Sequence, residues 1–118
     1  MGNVIKESST NQFNKKALSD RCGVNDTLSL IGKRWLMTVL YEISLGNNQF
    51  TALRKSVTEI SEHVLAKRIG DLTEHGLITK QEIGNTIPLQ ITYTATEKGE
   101  QLLSLVDGLC KWNRHWYK

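Results

Sequence analysis

One stretch, EISEHVLAKRIGDLTEHGLI over residues 59–78, constrains the fold more than any other because it signals both ends of a helix. Ser61 is a favourable N-cap, since its side-chain oxygen can accept a hydrogen bond from the first turn. Gly76 suits the left-handed conformation that commonly closes a helix at its C-terminal end. Strand-like residues follow directly. We therefore predict a helix over residues 61–75 that leads into a strand.

The predicted helix has two faces of different chemistry. Leu65, Ile69 and Leu72 can line one face and pack against a core. Small and polar residues occupy the opposite face and its flank: Ser61, Glu62, His63, Ala66, Lys67, Arg68 and Gly70. Such a face is often simply solvated, and the alternative is contact with a partner. Gly70 favours a partner. Glycine inside a helix costs about 1 kcal/mol relative to alanine, so a purely structural helix would gain from alanine at this position.

Two helices are predicted in the first half of the chain. Val24, Leu28 and Ile31 recur at helical spacing until Gly32 interrupts them. A second apolar pattern follows and ends in the turn residues 45–48. This second pattern consists of Leu36, Val39, Leu40 and Ile43. Both helices precede the one described above.

The remaining segments define the fold class. Thr51 is a reasonable N-cap for a short third helix. Residues 77–83 and 89–95 alternate as strands do, with residues 84–88 as an exposed loop between them, and Thr96 can cap a final helix. Two helices joined by a short turn and followed by a hairpin form a winged helix-turn-helix. We predict a mainly α fold with a small β-hairpin wing.

The length of 118 residues fits one compact domain. Residues 1–20 are polar and lack apolar periodicity, so we expect a flexible N-terminal tail. Residues 21–118 then form a single winged helix-turn-helix domain for DNA binding and dimerisation. The sequence contains no apolar segment of the kind that spans a membrane or directs secretion, so we expect a cytoplasmic protein without a membrane partner.

The net charge of +3 is compatible with DNA binding without establishing it. The major groove accepts one helix that has a packed side and a polar side. Basic residues in the preceding helix and in the hairpin can contact phosphates on either side. The residues predicted to contact double-stranded DNA are Arg54, Lys55, Ser61, Glu62, His63, Ala66, Lys67, Arg68, Lys80 and Asn85. The rival hypothesis is a winged helix that binds a protein, because fold does not determine function.

The last helix carries an apolar seam, by which we mean the residues Leu102, Leu105, Leu109, Trp112 and Trp116. Leu103 and Val106 widen this seam. The helix therefore has more apolar surface than one small core ordinarily needs. Cys110 follows Leu109 directly, and we expect its thiol to be part of the core.

An enzyme is not indicated. The sequence lacks a glycine-rich phosphate loop, an HExxH motif and a GxSxG motif. His63, His75 and His115 are not spaced as metal ligands, and the two cysteines do not form a CxxC pair. We therefore predict no catalytic activity, no cofactor and no metal.

Four segments resemble a known family: IGKRWLMTVLYEI (31–43), FTALRKSV, ISEHVLAKRIGDLTEHGLI and YTATEKGEQLLSLVDGLCKW. Together they are similar to the HxlR-type winged-helix transcription regulators, relatives of the MarR group. The resemblance implies a homodimer on a pseudo-palindromic operator, with the 61–75 helix in the major groove and the hairpin loop toward the minor groove or the backbone. It also implies that terminal helices build the dimer interface, which is where the apolar seam lies.

Cys22 occupies a position at which the family often carries a cysteine, and in some members this cysteine senses oxidants or electrophiles. Here Gly23 follows it, where the resembling family usually has proline. Arg21 and the start of a helix just beyond could stabilise a thiolate. Cys22 is therefore a candidate redox sensor for a small electrophile or oxidant, and an inert, packed cysteine is the alternative.

Overall fold

The computed structural model describes residues 23–84 and 90–118. Four of the predictions made from the sequence fall on other residues. The flexible tail over residues 1–20, the redox candidate Cys22, the exposed loop apart from Gly84, and the DNA contact Asn85 all lie outside the described residues. They stay predictions.

The chain divides into two compact units between Lys33 and Arg34. In the first unit, helix α1 spans Val24–Ile31. It ends at Gly32, whose backbone N–H donates a hydrogen bond of 2.9 Å to the carbonyl of Leu28. The predicted break after the first apolar pattern is therefore confirmed.

The second unit holds the remaining elements. These are α2 (Leu36–Ser44), α3 (Phe50–Ser56), α4 (Glu62–Glu74), β1 (Ile78–Ile83), β2 (Gln90–Ala95) and α5 (Glu97–Trp116). The order of helices and strands is the one predicted from the sequence. The fold is mainly α with a two-stranded antiparallel hairpin, and α3 with α4 forms the helix-turn-helix that the hairpin follows.

The core of the second unit is assembled from α2, α3, α4, the turn between α3 and α4, and the hairpin, whereas α5 contributes only Gly99 to its buried residues. Its buried apolar side chains are Leu36, Val39, Leu40, Ile43, Leu53, Val57, Ile60, Leu65, Ile69, Leu72, Leu77, Ile78 and Tyr93. The predicted inner faces of α2 and α4 are both buried, which confirms the two helical patterns. No polar or charged side chain is buried among the described residues. The polar chemistry of this part of the chain is therefore at its surface.

The hairpin pairs from Ile78 with Ala95 to Ile83 with Gln90. Tyr93 anchors β2: its ring is buried, and its backbone N–H donates to the carbonyl of Asn48 at 2.8 Å. Burial raises the pKa of the Tyr93 phenol above its usual value. The hairpin is thus tied to the turn that follows α2.

Both ends of α4 form as the sequence signals. The Ser61 hydroxyl oxygen accepts a hydrogen bond of 3.1 Å from the N–H of Val64. At the other end Gly76 has a φ of 69°, a left-handed value that glycine adopts without strain. The N–H groups of Gly76 and Leu77 donate to carbonyls in the last turn, which is a Schellman arrangement. The direction of α4 is therefore fixed at both ends.

Helix α5 begins beside the end of α4. Thr96 caps it by accepting a hydrogen bond from the Gly99 N–H at 3.1 Å, as predicted. The Thr96 hydroxyl also donates to the carbonyl of Gly76 at 2.6 Å, and the Thr96 N–H donates to the carbonyl of Leu77 at 3.0 Å. One residue therefore ties together the start of α5 and the exit from α4.

Two sequence expectations are wrong. Thr51 does not cap α3: the helix begins at Phe50 after Gln49, with no side-chain cap, and the Leu53 N–H bonds to the Gln49 carbonyl at 3.0 Å. Cys110 is not in the core but is exposed. The physical reason is the length of α5, because its last ten residues extend past the buried part of the second unit.

Candidate nucleic-acid interface

A five-residue turn, residues 57–61, joins α3 to α4 and sets the direction of the second helix. Val57 and Ile60 are buried within it. The Val57 N–H donates to the carbonyl of Leu53 at 2.9 Å, which closes the end of α3. Two apolar anchors inside so short a turn leave little freedom between the helices. The orientation of α4 is therefore built into the fold.

The outer face of α4 is exposed to solvent. Glu62, His63, Ala66, Lys67 and Gly70 are all exposed. A Cβ atom added at Gly70 would have no heavy atom within 4 Å. The face predicted to approach DNA is thus accessible along the length of the helix. The small residues Ala66 and Gly70 leave room there for close approach of the duplex.

Arg54 and Glu62, both predicted to contact DNA, are brought together across the turn. Arg54 Nη1 lies 2.9 Å from Glu62 Oε1, and the two side chains remain 46% and 66% exposed. Arg54 belongs to the last turn of α3 and Glu62 to the first turn of α4. Sequence reasoning did not foresee this pair, because its members are eight positions apart on different helices.

Arg68 has a different environment from the other predicted DNA contacts. Its Nε donates to the carbonyl of Arg34 at 2.7 Å, and its Nη1 donates to Asp71 Oδ2 at 3.0 Å. The Arg68 and Asp71 side chains are each only 19% exposed. Trp35, next to Arg34, has a φ of 75°, which is rare for a bulky residue. Arg68 therefore braces α4 against the entry to α2, and its contact with DNA stays a prediction.

Three lysines extend the charge of the outer face beyond Arg54. Lys55 lies in α3, Lys67 in α4 and Lys80 in β1, and all three are exposed. They come from the two helices of the helix-turn-helix and from the hairpin. Lysine and arginine side chains on elements that flank a reading helix are typical phosphate contacts.

The apolar seam of α5 is largely uncovered within one chain. Leu105, Leu109, Trp112 and Trp116 are 55%, 46%, 56% and 65% exposed. Leu102, nearer the start of the helix, is partly buried. Large apolar side chains in one contiguous row commonly mark an interaction surface.

A second feature of α5 was not foreseen from the sequence. An open groove of about 570 Å³ runs between α2 and α5. Its lining includes Met37, Tyr41, Leu103, Val106 and Cys110. The sequence could indicate which side of α5 is apolar, but not that the two helices leave a groove between them.

In residues 23–84 and 90–118, no group of three or more His, Cys, Asp or Glu side chains is arranged to hold a metal ion. Within the same ranges, no helix has both the length and the apolar character needed to cross a membrane.

Comparison with known proteins gives consistent matches. Residues 30–118 match the family model for the HxlR-like helix-turn-helix. The uncharacterized HTH-type transcriptional regulator YdzF of Bacillus subtilis is 34% identical over 87 residues, which are 73% of this chain and 79% of YdzF. These names describe transcriptional regulators and not enzymes.

Solved structures match the fold. The reduced form of the transcriptional regulator YodB from B. subtilis has a TM-score of 0.72 at 26% identity, over 80% of this chain and 91% of YodB. Diamide-treated YodB has a TM-score of 0.70 at the same identity, over 80% and 92%. A protein from Enterococcus faecalis V583, described as a MarR-family regulator, has a TM-score of 0.73 at 25% identity, over 82% and 87%.

Proposed function

The chain belongs to the HxlR-like helix-turn-helix family of transcriptional regulators, and we propose that it binds double-stranded DNA as a homodimer on a pseudo-palindromic operator. The observation that carries the proposal is the outer face of α4. It is polar, exposed and unobstructed at Gly70, while the inner face is anchored in the core. A helix with these two faces matches what the major groove of DNA accepts.

With α4 in the major groove, residues on the elements beside it lie near the DNA backbone. Arg54, Lys55 and Lys80 reach phosphates on either side of α4, and Asn85 in the hairpin loop does the same toward the minor groove or the backbone. Ser61, His63 and Ala66 line the groove itself, and Lys67 on the same face of α4 contacts a phosphate at the edge of the groove. Contacts of the first kind position the protein on the duplex, whereas contacts to base edges supply sequence preference.

The dimer forms through the apolar seam of α5. The exposure of Leu105, Leu109, Trp112 and Trp116 supports this arrangement, because a second copy would remove these side chains from water. A two-fold axis presents the two α4 helices to successive turns of the same groove. The half-sites should then be centred about 34–36 Å apart, roughly one turn of the duplex.

Selection from a random duplex library, with the purified reduced protein, tests the whole proposal. An inverted repeat should be enriched, and affinity for the best sequence should fall steeply as salt is raised, because each phosphate contact releases counterions. Retention without enrichment, insensitive to salt, would instead favour the rival hypothesis of a protein-docking winged helix.

Lys67→Ala should weaken binding to the operator and to unrelated DNA alike. Removing one phosphate contact lowers the slope of log affinity against log salt by about 0.9. Lys111→Ala on α5 is the matched control, because Lys111 is equally a surface lysine but lies on a helix with no predicted DNA contact. Affinities are measured by fluorescence anisotropy over a salt series. Unchanged operator affinity of Lys67→Ala at moderate salt would refute the assignment of α4 as the reading helix.

We also propose that a small oxidant or electrophile regulates DNA binding through Cys22. YodB, whose solved structures include a reduced form and a diamide-treated form, motivates this step. A quinone should add to the Cys22 thiolate, forming a carbon–sulfur bond while the ring is converted to the hydroquinone. Cys22 is followed by a helix start at Val24, where the helix dipole stabilises an anion.

Treatment with a quinone should change operator affinity in the native protein and in Cys110→Ser but not in Cys22→Ser. Cys110 provides the control because it is an exposed thiol on a different element. Operator affinity before and after treatment is the measurement, with mass spectrometry locating the adduct. Equal responses of the native protein and Cys22→Ser would exclude Cys22 as the sensor.

A further inference from the structure

The ion pair between Arg54 and Glu62 places a carboxylate on the surface that is proposed to face DNA. It joins the two helices of the helix-turn-helix at 2.9 Å, with both side chains substantially exposed. Exposed ion pairs add little to folding stability, because water screens them and ordering the side chains costs entropy. The fold of the second unit therefore depends little on the pair. The position of the pair, at the start of α4, instead indicates a role in DNA recognition.

Glu62 is the first residue of α4, directly after the N-cap Ser61. In a helix-turn-helix, the residues at the N-terminal end of the second helix are those that contact base edges. Side chains on a helix also lean toward its N-terminus, so the Glu62 carboxylate extends past the end of α4. The carboxylate is favourably placed there, because the positive end of the helix dipole stabilises an anion.

A carboxylate is selective about what it can contact on DNA. Ionised glutamate only accepts hydrogen bonds, so phosphate oxygens repel it. In the major groove the available donors are the amino groups of cytosine N4 and adenine N6. Adenine presents its N7 acceptor beside the amino group, where it would face the second carboxylate oxygen. Cytosine carries no acceptor at the corresponding position, so Glu62 should prefer it.

Arg54 offsets the charge repulsion between the Glu62 carboxylate and the DNA phosphates. The guanidinium has five N–H donors, and contact with Glu62 uses its Nη1 group. Other donors are therefore available for a phosphate, on the helix that crosses the backbone in this class of fold. The pair is neutral overall, and contact with Arg54 biases the carboxylate toward one position at the start of α4.

We propose that Glu62 reads a cytosine in each half-site through the cytosine N4 amino group, and that Arg54 is the positioning residue that orients the carboxylate. The inference rests on the proposed function and deepens it. It assigns Glu62 to a base and not to the backbone, and it gives Arg54 a part in sequence preference as well as in phosphate contact.

The test is selection from a random duplex library with the full chain and with Glu62→Gln, followed by affinity measurements on operators that differ at one base pair. The native protein should fix cytosine at one position of each half-site. Replacing that base pair should weaken binding roughly tenfold to a hundredfold, the range expected for one specific base contact. Glu62→Gln should change the preference at that position from cytosine to adenine, because an amide can pair with adenine N6 and N7 together.

Arg54→Met tests the positioning role. It should reduce discrimination at the same position and lower the salt slope by about 0.9, since one phosphate contact is lost. Arg54→Lys should restore the salt slope but not the full discrimination, because an ammonium lacks the planar fork of the guanidinium. A change in slope without loss of discrimination would overturn the positioning role.

Glu74→Gln is the matched control, since Glu74 is an exposed glutamate at the far end of the same helix. It should leave every position of the selected sequence unchanged. If the native protein enriches an inverted repeat and Glu62→Gln enriches the identical sequence, the assignment of Glu62 is wrong while the proposed function stands. If the native protein enriches no sequence, the proposed function fails and the reading role of Glu62 fails with it.

Discussion

Gly99→Ala is expected to destabilise the second unit by about 3 kcal/mol, at the upper end of the usual cost of overpacking. The added Cβ would run into the carbonyl oxygen of Leu77, lie 3.2 Å from the carbonyl carbon and approach Leu40 Cδ1 to 3.4 Å. The Leu77 carbonyl cannot easily move, because it accepts the N–H of Thr96. Helix α5 would have to shift away from the core instead. For a unit of this size the loss corresponds to a fall in Tm of roughly 12–24 °C.

Thermal and urea unfolding followed by circular dichroism measure this effect. Gly70→Ala is the matched control, because it makes the same change inside a helix but finds no heavy atom within 4 Å. It should stabilise the protein by about 1 kcal/mol through helix propensity alone. Opposite signs for the two variants would establish the close approach of α5 to Leu77. A Gly99→Ala variant as stable as Gly70→Ala would show that the approach is not required.

The parts of the fold that could be predicted are those with local signals. The N-caps Ser61 and Thr96 each use a side chain that bonds within the next three residues, and Gly76 supplies a left-handed backbone. The inner face of α4 follows from helical periodicity alone. Such features depend on neighbours in sequence, so a sequence pattern can specify them.

The parts that could not be predicted are those made by tertiary approach. Arg68 bonds to the carbonyl of Arg34 across 34 positions, and no pattern in either segment indicates it. The expectation that Cys110 lies in the core failed for a related reason. An apolar stripe identifies the side of a helix that avoids water, but it does not identify what covers that side. Trp35 adopts a left-handed φ without the glycine or asparagine that would have signalled it.

The same distinction bears on the seam of α5. Its residues were identified from spacing, and the structure leaves four of the five well exposed in one chain. An uncovered row of two leucines and two tryptophans is unfavourable in water, whereas a second copy can cover it and be covered in return. In a two-fold interface each substitution occurs twice, so its effect on association is doubled.

Trp112→Glu is therefore expected to turn the proposed dimer into monomers. Buried tryptophans at interfaces commonly contribute about 2 kcal/mol or more each. Two copies would weaken the free energy of dimerisation by about 4 kcal/mol, which lowers the association constant roughly a thousandfold. The fold of each protomer should survive, because Trp112 is 56% exposed and outside the core. Sedimentation equilibrium measures the association, and unfolding by circular dichroism verifies the protomer.

Operator binding should weaken together with dimerisation, because one monomer engages a single half-site and loses the joint contact of the two reading helices. Lys111→Ala is the control, since it makes the same change in formal charge on the neighbouring residue and removes only an exposed ion pair with Asp107. It should leave both association and operator affinity unchanged. A Trp112→Glu protein that remains dimeric at micromolar concentration would place the interface elsewhere. A monomeric protein that retains operator affinity would show that one α4 helix is sufficient for recognition.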